Sequence, residues 1–103
     1  MGISLKPGSR VFSNACDAEF IAIKAPDEAL ELTIGGCPAA AAAAERVRRS
    51  VQVGYGGGSR IGKRFVDADG VVELLCIKPG EGVPALGGQP LSVKDSKTLP
   101  ASD

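Results

Sequence analysis

The chain has 103 residues, 44% apolar and 23% charged, which suits one small globular domain and excludes disorder for its bulk. Lysine plus arginine equals aspartate plus glutamate at 12 each, so net charge selects neither nucleic acid nor an acidic membrane surface as a partner. With no histidine, the chain lacks the usual general base, the Ser-His and Cys-His nucleophile pairs and His-ligated metals, and the expectation is a protein that is not an enzyme.

The first eight residues lack the apolar run of a signal peptide, and nowhere do about 18 apolar residues follow one another, so no membrane partner and a cytoplasmic location are expected. Ile3-Ser4-Leu5-Lys6 alternates apolar with polar residues and predicts a half-buried strand. Glu19-Phe20-Ile21-Ala22-Ile23-Lys24 is an unbroken apolar run between charges, the pattern of a strand covered on both faces. A turn at Ala25-Pro26-Asp27-Glu28 leads to a short strand that ends at Gly35-Gly36. Pro38, six alanines and Glu45-Arg46-Val47-Arg48-Arg49 then read as a short helix or, alternatively, as a low-complexity linker. Val51-Gln52-Val53 alternates like a strand, and Gly54-Tyr55-Gly56-Gly57-Gly58-Ser59 reads as a flexible loop.

Beyond that loop, Asp67-Ala68-Asp69-Gly70 carries the chemistry of a tight hairpin turn joining 63–66 to 71–77. Its two aspartates suggest a calcium loop, but the later ligands of such a loop are absent. Glu73-Leu74-Leu75-Cys76-Ile77-Lys78 predicts a second fully covered strand, followed by the turn Pro79-Gly80-Glu81-Gly82 and a strand ending at Gly87-Gly88. Leu91-Ser92-Val93-Lys94 alternates again, and residues 97–103 read as a frayed tail.

These elements come twice. Without a gap, residues 8–24 lie over 62–78, pairing Gly8 with Gly62, Arg10 with Arg64, Glu19 with Glu73 and Lys24 with Lys78. Two single-residue deletions then bring Pro26 onto Pro79, Gly35-Gly36 onto Gly87-Gly88, and Pro38 onto Pro90. A unit of about 30 residues cannot bury a core alone, so two must share one. The expected architecture is a single all-β domain of two pseudo-symmetric β-meander repeats, 8–38 and 62–90, packed as a small sandwich or partly open barrel. An Ala/Arg/Gly-rich connection, 39–61, joins them, and a C-terminal strand and tail, 91–103, close the chain.

The meander and its glycines resemble the small desulforedoxin-type module, also found at the front of desulfoferrodoxins. That family pairs a Cys-x-x-Cys-Gly knuckle, an apolar strand and a Gly-rich turn with Cys-Cys-Gly-x-x-Met. Gly88-Gln89-Pro90-Leu91 stands in the place of Gly-x-x-Met and Gly70 in that of the knuckle glycine. The resemblance implies a tetrahedral iron held by four thiolates and a module that pairs into dimers, which a fused pair would reproduce within one chain. The ligands have gone. In the second repeat the knuckle positions fall on 66–69 and the paired cysteines on Leu86-Gly87. In the first, Ser13-Asn14-Ala15-Cys16 keeps only the last knuckle cysteine, Ile34-Gly35 replaces the pair, and Cys37 lies two residues beyond.

Three chemistries compete for the function. The leading expectation is a non-catalytic accessory or protein-interaction module on a scaffold that has lost its iron, with no cofactor and an unidentified protein partner or a second copy of itself. The alternative is a small redox or metal protein in which Cys16 and Cys37 hold iron or zinc, completed by an aspartate or a second chain. Cys37 ahead of Pro38 would gain a lowered pKa from a helix start, whereas Cys16 sits beside Asp17. An odd count of three cysteines favours reduced thiols, and Cys76, in an apolar run, reads as packing. The third reading is an anion or nucleic-acid site at Arg46, Arg48, Arg49, Arg60, Lys63 and Arg64, with Tyr55 available for stacking; a neutral chain with one tyrosine disfavours nucleic acid. Residues 57–63 match Gly-x-x-x-x-Gly-Lys, but Arg64 replaces the hydroxyl residue of a P-loop and a strand is expected to follow.

Overall fold

A computed structural model describes residues 2–42 and 50–94. Every regular element among the described residues is a strand, and every pairing is antiparallel. β1 (Ile3–Ser4) pairs with β4 (Ala29–Leu30). A five-stranded sheet contains β2 (Arg10–Phe12), β3 (Glu19–Lys24), β8 (Arg64–Val66), β9 (Glu73–Lys78) and β13 (Ser92–Lys94) in the order β13-β8-β9-β3-β2. A four-stranded sheet contains β5 (Leu32–Ile34), β6 (Cys37–Pro38), β11 (Pro84–Leu86) and β12 (Gln89–Pro90) in the order β12-β11-β5-β6. β7 (Gly56–Ser59) and β10 (Gly80–Gly82) form a further ribbon. The result is the small sandwich; no sheet closes into a barrel.

The strand registers carry the repeat. In both halves the second hairpin lies in the four-stranded sheet: β5–β6 in the first repeat and β11–β12 in the second. In the five-stranded sheet β3 pairs with β9, and Ile21 stands opposite its own counterpart, Leu75. In the four-stranded sheet Thr33 stands opposite its counterpart, Ala85. A pseudo-twofold axis therefore passes through both pairs. Shifts between Glu19/Phe20 and between Ala22/Lys24 leave Ile77 and Ile23 without a direct partner, and these too are equivalent residues. Backbone bonds repeat as well: Gly8 N–H donates to Ala22 O at 2.7 Å, and Gly62 N–H to Cys76 O at 2.9 Å.

The core lies between the sheets. Val11, Phe20, Ala22, Phe65, Leu74 and Cys76 meet Leu32 and Ile34 there, and the rings of Phe20 and Phe65 cross edge-to-face, 5.8 Å apart at 82°. One aromatic thus comes from each repeat, adding to the roughly 1.5–3 kcal/mol gained by burying each large side chain.

Several local expectations are corrected. β3 and β9 are fully covered on one face only: Ile23 is 37% exposed, and Ile21, Leu75 and Ile77 are half-buried. No helix starts at Pro38, because Pro38 belongs to β6 and Ala40 bridges Phe12 in the manner of a strand. The rest of the expected helix, 43–49, lies outside the described residues, as does the tail from 95 onward. Val51-Gln52-Val53 is no strand: Val53 is fully exposed and Gln52 opens a turn. The glycine run taken for a flexible loop contains β7, whose partner β10 supplies the backbone bonds that its side chains cannot.

Candidate functional site

The turns at 13–18 and 67–72 are equivalent and close alike. Ser13 N–H donates to Ala18 O at 3.0 Å and Asp67 N–H to Val72 O at 3.3 Å. Their side chains then diverge. Ser13 is buried, and its Oγ accepts the N–H groups of Ala15 (3.0 Å) and Cys16 (3.1 Å) as well as the Cys16 Sγ–H (3.3 Å). Asp67 is half-buried, and its Oδ1 accepts the N–H groups of Val71 (2.8 Å) and Val72 (3.0 Å). Gly70 supplies the positive φ of 71° that the Asp/Gly turn requires.

Around Cys16 the backbone approaches closely on one side, and a cavity of about 250 Å³ lies on the other, between Ala15-Cys16-Asp17 and Pro79-Gly80-Glu81. Its Sγ accepts the Gly82 N–H at 3.3 Å. A Cβ at Gly80 would lie 2.7 Å from that sulfur and 2.7 Å from Ala18 N, and one at Gly82 would lie 2.7 Å from Gly35 Cα. Glycine at 35, 80 and 82 lets three backbone segments close over the thiol.

Cys37 occupies different surroundings. Its Sγ–H donates to Ser50 O at 3.6 Å and its sulfur accepts from Gln52 Nε2 at 4.0 Å. Cys76 is buried in β9 and donates to Lys78 O at 3.2 Å, and burial pushes its thiol pKa up, with Cys16 adding a smaller push the same way. Among the described residues no three Cys, Asp or Glu side chains are grouped to hold a metal ion.

Three of the six basic candidates, Arg46, Arg48 and Arg49, lie outside the described residues. Arg60 and Lys63 are exposed at the turn after β7, while Arg64 turns to Glu73 (3.3 Å), which Lys94 of β13 reaches from its other oxygen at 3.3 Å. Glu73 is only 2% exposed, so this carboxylate anchors the C-terminal strand and draws Arg64 away from any anion site. The P-loop pattern fails structurally, because Gly57 lies in strand β7 and strand β8, not a helix, follows Lys63.

Sequence reasoning missed the segment 50–55. Gln52 N–H donates to Gly35 O at 2.8 Å, Tyr55 O accepts the Val83 N–H at 2.9 Å, and the Tyr55 hydroxyl donates to Gly88 O at 2.9 Å. The connection thus ties down both Gly-Gly turns, and a Cβ at Gly36 would meet Gln52 Cβ at 2.8 Å. The two Gly-Gly pairs were its only signal. Tyr55, which the sequence offered for stacking, is tethered by its hydroxyl to the second Gly-Gly turn.

A cavity of about 300 Å³ opens beside the second turn, between Asp67-Ala68-Asp69 and the segment Gln89–Ser92, with Val66 and Leu86 in its wall. At the equivalent place in the first repeat, buried Phe12 stands for Val66, and Asn14, standing for Ala68, donates from Nδ2 to Pro38 O at 2.8 Å.

Comparison of the chain with family models, curated proteins and solved structures returns no match. No helix among the described residues is long and apolar enough to cross a membrane.

Proposed function

We propose that the chain is a non-catalytic, cytoplasmic accessory module that binds another protein, built on a desulforedoxin-like scaffold whose iron site has been lost. The observation that supports this reading is the 13–16 turn. Ser13 stands at the first position of the Cys-x-x-Cys pattern, and its Oγ accepts the N–H groups of Ala15 and Cys16 in a loop that keeps the last knuckle cysteine. Where the family places its paired cysteines the chain has Ile34 and Gly35, and the Gly35 backbone packs on Gly82. A serine hydroxyl and one thiol fall short of the four donors that a tetrahedral iron or zinc needs. What persists is the supporting framework, free to serve as a rigid binding surface.

The metal alternative through Cys16 and Cys37 gains nothing from their surroundings, since each sulfur is engaged by a different segment. Elemental analysis of protein purified under reducing conditions and incubated with ferrous iron or zinc tests the proposal. We expect far less than one metal per chain and no thiolate-to-iron absorption. Stoichiometric metal released on Cys16→Ala would overturn it.

A further inference from the structure

We propose that the cavity beside Asp67 is a binding site for an alkylguanidinium or alkylammonium group, the chemistry presented by an arginine or lysine side chain. The inference is independent of the history assigned to the scaffold. At about 300 Å³ the cavity reaches the lower end of the range for small-ligand sites. Its wall is chemically divided: Val66, Leu86, Pro90 and Leu91 offer apolar surface to an aliphatic stem, and Asp67 and Asp69 supply the only charges among the described lining residues, both negative. Asp67 is held in place, because its Oδ1 takes the N–H groups of Val71 and Val72, which leaves Oδ2 to meet a cation without ordering the side chain anew.

The cations nearest in the sheet do not neutralise this pair. Arg64 and Lys94, on the two strands that lead into the cavity wall, are both drawn to Glu73. A planar guanidinium suits a carboxylate best, through paired N–H···O bonds, so an arginine-like group should bind more tightly than a lysine-like one.

The first repeat argues that this space is not an unavoidable feature of the fold. With the same turn and the same strands, it carries Phe12 in place of Val66 and the Asn14 side chain bonded to Pro38 O in place of Ala68. The second repeat has the smaller residue at both positions and aspartate at two of the turn's four.

The test is a titration of isotope-labelled protein, followed by amide chemical shifts, with n-butylguanidinium chloride and in parallel with n-butanol and calcium chloride. Saturable shifts confined to residues 66–69 and 86–92 are expected with the guanidinium. Binding should weaken at least fivefold in Asp67→Asn, which retains an oxygen for the turn, and be lost in Val66→Phe, which copies the first repeat's filling. A peptide containing one arginine between glycines, titrated in the same way, distinguishes a protein-borne side chain from a free amine: tighter binding by the peptide assigns the group to a partner chain, equal or weaker binding to a small molecule. The proposal is overturned if n-butanol binds equally well, if calcium shifts the same residues and displaces the guanidinium, or if a folded Val66→Phe or Asp67→Asn protein binds like the parent.

Discussion

The turns at 13–18 and 67–72 occupy equivalent positions in two copies of one motif, yet the space beside residues 66–69 is open and its counterpart beside residues 12–15 is filled. In the first, a buried serine satisfies the local backbone, glycine backbone packs on one side of Cys16, and Phe12 stands where the second repeat has Val66. In the second, a half-buried aspartate does the same backbone work at the edge of a cavity. The contrast separates what the fold needs from what it permits. Each copy needs an acceptor at the first turn position for the N–H groups that follow. What fills the neighbouring space is free to vary, and that is where the copies have diverged.

Substitutions at equivalent sites test how far this division holds. The largest effect is expected at the shared core: Phe20→Ala and its counterpart Leu74→Ala should each cost about 3–4 kcal/mol in urea unfolding. Each should also lower a single transition seen by both halves, whereas two separate transitions would show that the repeats do not share a core. Next is Gly82→Ala, where the new Cβ would meet Gly35 backbone, for about 2–3 kcal/mol. At Gly62 a Cβ would meet nothing within 4 Å, so alanine there should cost only about 1 kcal/mol through its positive φ.

The turns themselves come third. Ser13→Ala leaves two N–H groups unpaired in a buried setting and should cost about 2 kcal/mol, while Asp67→Ala leaves N–H groups nearer to water and should cost about 1 kcal/mol. Equal losses would contradict the distinction between a buried Ser13 and a half-buried Asp67. The smallest effect is expected from pH. Because burial raises the Cys76 thiol pKa above its ordinary 9.0, the folded protein retains this proton longer than the unfolded chain. The corresponding stability is present below about pH 9 and is lost as pH rises through the raised value. Cys76→Val should therefore flatten the alkaline limb of a stability profile followed by urea unfolding.

Much of the fold was legible because the repeat is written in residues with narrow structural uses: glycines at positive φ, and glutamate and lysine bounding the two central strands. Strand β7 was not legible. Its four residues, Gly56–Ser59, have the composition of a flexible linker, and they form a strand only because β10 lies alongside. Its equivalence to the stretch containing β1 was hidden as well, since Leu5 and Ser59 share a buried position but no chemistry. The alternation at 51–53 misled for the opposite reason: a period of two over three residues is too short to distinguish a strand from a turn. Of the candidate site, the serine and cysteine of the first turn and the hairpin chemistry of the second were visible. The cavity was not, because the pairing of Phe12 with Val66 shows a difference in size but not that the segment 89–92 packs beside it.

The central claim is that two equivalent halves meet across one twofold axis. Nuclear Overhauser contacts across the strands test it most directly: Ile21 should contact Leu75, and Thr33 should contact Ala85, each residue facing its own counterpart. A register displaced by a single residue in either sheet, or the absence of one of the two contacts, would contradict it.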